Sequence, residues 1–193
     1  MSADRWIEIT LSRHMVWLLV ILYIMFSMPV AKSVGFEVIN ASTRLENGMY
    51  HLNAQVSYDF SKSALDALEN GVPLTVELAM EVRRKRPWFW DRTVYTIRQR
   101  FRLEYHALSR QYLINNLNSG ERRSFPGRQT ALNSIQKIND FPMIEQSLLA
   151  KNERYQGALR IVLDTELLPA PLRLFTYLSN DWQLNSQWYI WPL

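Results

Sequence analysis

RRKRPWFWDR, residues 83 to 92, sets five cationic side chains and three rings within ten positions. Such a mixture holds polyanions: guanidinium and ammonium groups neutralise phosphates while aromatic faces stack on bases. The same residue types suit a membrane surface, where rings settle at headgroup level and Lys and Arg are drawn to anionic lipid. They also suit a protein partner, because interface hot spots are rich in Trp and Arg. Residues 83 to 110 carry Arg83, Arg84, Lys85, Arg86, Arg92, Arg98, Arg100, Arg102 and Arg110 against only Asp91 and Glu104, so this segment holds the chain's cationic excess. Choosing among these chemistries requires knowing the compartment and what faces the arginines.

Other chemistry is thinly represented. There is no cysteine, which excludes disulfides, thiolate metal sites and a cysteine nucleophile. His51 and His106 stand far apart on polar strand positions with no partner at ligand spacing, and read as surface histidines. No GxSxG, HExxH, P-loop or GxGxxG motif occurs. The expectation is a non-enzymatic protein with no cofactor, no metal and no catalytic residue.

Compartment is argued from the N-terminus. Arg5, Arg13 and His14 precede an uncharged, mostly apolar run from Met15 to Met28, followed by Pro29-Val30-Ala31-Lys32-Ser33. That order is the one a secretory signal uses, with Ala31 and Ser33 as the small residues of a cut. The run is shorter than the roughly 20 apolar residues of a comfortable span. Residues 1–33 are therefore expected to be a signal peptide or an uncleaved membrane anchor, with a buried core helix as the remaining reading. In the first two cases residues 34–193 form a single exported domain, periplasmic or anchored to the inner membrane and facing the periplasm. Nucleic acid is then excluded as a partner.

The elements that must position the basic segment read mainly as strands. Asn47-Gly48 marks a tight hairpin turn, and Tyr50, Leu52, Ala54, Val56, Tyr58 and Phe60 alternate with polar residues after it. A short helix follows, with Ser61 or Ser63 to cap it and Gly71 and Pro73 to end it. Leu74, Val76, Leu78, Met80 and Val82 alternate along one strand, and Tyr95, Ile97, Phe101, Leu103 and Tyr105 along the next. A hairpin turns at Asn118-Ser119-Gly120. Residues 128 to 138 suit a helix carrying Ala131, Leu132, Ile135 and Ile138, with a further helical turn after Pro142. Leu159, Ile161 and Leu163 mark another strand. The two prolines of LLPAPLRL suggest an extended crossing segment. In the ring-rich tail Trp182, Leu184, Trp188 and Ile190 share one face, expected to pack in the core. Together these imply a mainly β fold, an antiparallel β-sandwich with one or two short helices, or else an open antiparallel sheet with helices on one side.

Pairing the two long strands as a hairpin sets Glu81 opposite Arg98 and Glu77 opposite Arg102, which would neutralise much of the arginine stripe as structural ion pairs. What remains is a tip: Arg83, Arg84, Lys85, Arg86, Trp88, Phe89 and Trp90, the expected interaction loop.

Four blocks, ENGMYHLNAQVSYDFS, ALENGVPLTVELAMEVRRKRPW, FRLEYHALSRQYLINNLNSGERRSFP and the closing YLSNDWQLNSQWYIWPL, give the chain its resemblance to the DUF4390 family of exported proteobacterial proteins of unknown function. The resemblance implies export and an encoded neighbourhood containing a two-component system of the NtrY/NtrX type. It supplies no catalytic residue. The expected function is an interaction protein of the cell envelope, an accessory to such a sensor kinase; the alternative is a module binding an anionic membrane surface or envelope polymer through residues 83–92.

Overall fold

Asn47 and Gly48 both adopt positive φ, 50° and 77°, and so join β1 (Phe36–Glu46) to β2 (Met49–Tyr58) by the tight turn their types favour. The computed structural model describes residues 35–86 and 90–193, which belong to one compact unit, Val34–Leu193. The apolar run 15–28 and the cut expected after Ser33 lie outside the described residues. No helix among the described residues is long and apolar enough to cross a membrane.

The protein is mainly β, with nine strands in two antiparallel sheets among the described residues and few short helices. A three-stranded sheet runs β1, β2, β7 (Lys137–Glu145). A six-stranded sheet runs β6 (Arg122–Phe125), β5 (Gln111–Asn116), β4 (Arg92–His106), β3 (Leu74–Arg84), β8 (Tyr155–Leu163) and β9 (Tyr189–Pro192). One apolar core draws on both: Phe36, Leu52 and Val56 from the smaller sheet, Leu78, Met80 and Ile161 from the larger. β3 is the centre of the larger sheet, and its Leu74, Val76, Leu78, Met80 and Val82 are all fully buried, as their alternation requires.

The helices are short. Ser61 caps α1 (Lys62–Glu69), its hydroxyl accepting from the Ala64 amide at 3.2 Å. α2 (Arg128–Asn133) ends well before the expected residue 138. The chain is instead drawn onto β2: Val56 donates to the Gln136 carbonyl at 2.9 Å, Tyr58 Oη donates to the Ile135 carbonyl at 3.2 Å, and Ile138 enters β7. Backbone groups that pair in a sheet outweigh a weak helical period. Pro142 sits within β7, which lies at a sheet edge where its missing amide costs least, and a 3-10 turn follows at Gln146–Leu148. LLPAPLRL is no extended crossing. Pro169 precedes and Pro171 opens α3 (Ala170–Leu178), where first-turn amides have no partner within the helix.

The β3–β4 register differs from the expected one by two residues. Glu77 faces Arg100, Ala79 faces Arg98 and Glu81 faces Thr96. A shift of two leaves every side chain on its own face, so alternation cannot detect it. The register is uniform from Leu74 opposite Leu103 to Val82 opposite Tyr95 and changes only at an extra residue, Val94, bulged between Thr93 and Tyr95. Tyr95, expected on the buried face, is 45% exposed, and of that set only Leu103 is buried outright.

The tail also departs from its alternation. Trp182 and Leu184 are buried and Trp188 half-buried, but Ile190 is exposed and Trp191 takes the core position. Opposite β8, one more residue separates Asn185 from Tyr189 than separates Leu159 from Val162, and that insertion flips the facing of everything after it.

Candidate interaction surface

The β3–β4 tip divides into an inner part that holds the fold and an outer part that faces solvent. Arg83 donates from Nε to Glu81 Oε2 at 2.7 Å, and its guanidinium lies 4.3 Å from the Trp188 ring centroid, a cation–π contact. Thr93 Oγ1 donates to the same Glu81 oxygen at 3.1 Å. Arg84 reaches Glu153 at 3.5 Å, and its buried Nε has no hydrogen-bond partner among the described residues. These two cations are therefore committed inward, against the sequence expectation that the whole basic run is available.

Lys85 is exposed and Arg86 partly so; their amides are held by the Arg154 carbonyl at 2.9 Å and Asp91 Oδ1 at 3.3 Å. Asp91 also accepts from Gln156 Nε2, which ties the loop to β8. Trp90 is 94% exposed. Trp88 and Phe89, the other rings of the expected loop, lie outside the described residues.

The expected ion pairs Glu77–Arg102 and Glu81–Arg98 do not form, because of the two-residue register. Glu77, whose side chain is only 13% exposed, accepts from Arg100 Nε at 2.7 Å and lies 3.7 Å from Arg98 Nε. Arg100 also lies 3.9 Å from Asp164, and its hydrogen bond to Glu77 pushes its pKa up, so it is a permanent cation. The idea of a neutralised stripe survives with different partners: Arg83 and Arg100 are matched by Glu81 and Glu77.

On the β8 side of the tip is a cleft of about 1190 Å³. Its apolar lining includes Met49, Tyr50, Leu149, Tyr155 and Trp191, and Lys85, Lys151 and Arg154 supply cations against Glu145 and Glu153. Trp191 is fixed there by its Nε1 donating to Thr43 Oγ1 at 3.2 Å. An apolar lining with a few charged groups suits a ligand or partner segment with an apolar body and polar ends. Sequence reading missed the cleft, since its residues come from the β1–β2 turn, the loop before β8 and the tail. The one local signal is Asn152 in KNERY, a residue type that accepts the positive φ of 72° found there.

His51 and His106 are not brought together. His51 Nδ1 lies 3.4 Å from Asp140 Oδ1, and His106 is exposed beside Ser109. Among the described residues no group of three His, Asp or Glu side chains is placed to hold a metal ion.

Residues 33–192 match the family model described as Domain of unknown function (DUF4390). The chain belongs to the DUF4390 family. Neither a curated protein nor a solved structure matches it. In this DUF4390 domain the two features that could engage another molecule, the Trp90 tip and the cleft, adjoin through Lys85.

Proposed function

We propose that the protein is a non-enzymatic interaction protein outside the cytoplasmic membrane, periplasmic or held to the inner membrane by residues 1–33. Its partner in this reading is an envelope protein, with the external part of an NtrY/NtrX-type sensor kinase as the specific expectation. The observation that carries the reading is Trp90, 94% exposed on a hairpin whose base is locked by Glu81, Asp91 and Trp188. Leaving an indole in water forgoes roughly 2–3 kcal/mol of burial, and an exposed Trp on a loop that also carries Lys85 and Arg86 has the character of an interface hot spot. In this reading the two sheets form a β-sandwich, supported by the apolar core that draws on both.

The test is genetic. Deleting the gene is expected to change kinase-dependent transcription under envelope stress; wild type and Leu108→Ala are expected to restore it and Trp90→Ala to fail. Unchanged output after deletion, with no envelope protein co-purifying, would overturn the reading.

A second reading, binding to an anionic membrane surface or envelope polymer, is favoured by the exposure of both Lys85 and Trp90 on the same loop. Liposome flotation separates the two. Because Arg83 and Arg84 hold the fold, the variant to use is Lys85→Ser with Arg86→Ser. Binding that grows with anionic lipid and is lost in that variant supports the membrane reading; binding indifferent to both eliminates it.

A further inference from the structure

β4 is fifteen residues long, but β5 covers only its Phe101–His106 half. Beyond that, Asn118 forms the last rung: its Oδ1 accepts from the Arg100 amide at 2.8 Å and its Nδ2 donates to the Arg98 carbonyl at 2.9 Å, while Leu117 donates to the Arg100 carbonyl at 2.8 Å. Arg100 thus turns both backbone groups away from β3. Alternation along a strand then directs the amides of Arg98 and Thr96, and the Thr96 carbonyl, the same way. Among the described residues no strand pairs with β4 on this side between Arg92 and Arg98. The side chains along that stretch are largely exposed, Val94 at 43% and Tyr95 at 45%.

We propose that this edge of β4 receives an extended acidic peptide segment of a partner protein, added as a seventh strand to the larger sheet. The occupant is set by charge. Glu77 is taken by Arg100 at 2.7 Å and reaches Arg98 only at 3.7 Å, leaving the Arg98 side chain 61% exposed. Glu81 is taken by Arg83 and Thr93. Arg92 stands opposite Arg84, a like charge, and forms no ion pair among the described residues. Carboxylates on an added strand would meet Arg98 on one face, while apolar residues between them would lie beside Tyr95 and Ile97 on the other, where Arg92, past the Val94 bulge, adds a cation at the end of the apolar row; the fitting segment alternates acidic and apolar residues. A second copy of this chain is disfavoured by the same charges. The free stretch Arg92–Arg98 carries two arginines and no carboxylate that could meet them across a self-paired edge. The edge lies across β3 from the cleft and does not need it, so this site stands or falls independently of the Trp90 tip.

The experiment uses the full chain in detergent and a short synthetic peptide alternating glutamate and valine. Expected results are saturable binding that weakens with salt, slowed hydrogen exchange at the Thr96 and Arg98 amides, and unchanged affinity in Trp90→Ala. A peptide with lysine for glutamate, or one N-methylated on its sheet-facing amides, is expected to bind at least about tenfold more weakly. Thr96→Pro removes an outward amide that β3 does not use, so it should weaken binding similarly while leaving the fold intact. Absence of binding, binding indifferent to N-methylation, or protection of the same amides by self-association without peptide would each overturn the proposal.

Discussion

Trp191 occupies the space that a side chain at Gly157 would need. The two residues face each other across β8 and β9, and a Cβ on Gly157 would come within 2.8 Å of the indole nitrogen and closer still to Cε2 and Cζ2. The ring is held in place by Thr43 of the other sheet, so it cannot swing away without giving up that hydrogen bond. Glycine here admits an aromatic ring that fastens β9 across to β1 and lines the cleft.

Gly157→Ala is therefore expected to destabilise the domain by about 1–3 kcal/mol through overpacking and to shift tryptophan emission as the indole moves. Thr43→Val, which removes only the hydrogen-bond partner, should cost about 1 kcal/mol. Urea unfolding of both variants checks the order.

Double-mutant cycles test the β3–β4 register. Glu77→Gln combined with Arg100→Gln should show a coupling of about 0.5–1 kcal/mol, small because Arg100 is partly in solvent. The same cycle with Arg102→Gln should show coupling near zero. A larger coupling to Arg102 would restore the register that the alternation first suggested.

Buried Tyr58 makes stability fall at alkaline pH. Burial pushes its phenol up from the usual value of about 10. The folded state thus favours the neutral form: the contribution is complete below the unfolded pKa and is lost as pH rises from there towards the folded value. Tyr58→Phe forgoes the hydrogen bond to the Ile135 carbonyl, about 1 kcal/mol at neutral pH. It also escapes the alkaline loss, so the gap between variant and wild type should narrow in urea unfolding above about pH 10. A gap that stays constant would contradict this account.

Much of the fold was legible where one local signal decided it. Asn47-Gly48, the Ser61 cap and the unbroken alternation from Leu74 to Val82 each specify geometry within a few residues. The failures share a different origin. Register, the flipped facing of Trp191 and the capture of residues 137–145 by β2 are decided by partners distant in sequence, and a two-residue slip or a single inserted residue leaves no trace in local pattern. The contacts within the candidate surface were half legible for the same reason. Composition located the tip, but only the contacts of Arg83 with Trp188 and of Arg84 with Glu153 reveal which cations are already engaged.

The central claim is that the β3–β4 tip contacts an envelope protein, and site-specific photo-cross-linking in living cells tests it most directly. A photoreactive residue replaces Trp90 in one strain and Leu108 in another; Leu108 is 96% exposed in the turn after β4, the opposite end of that strand. The account predicts a discrete cross-linked envelope protein from position 90, reduced by Lys85→Ser with Arg86→Ser, and none from position 108. Equal cross-linking at both positions, or none at position 90 while the protein is present at native abundance, would contradict it.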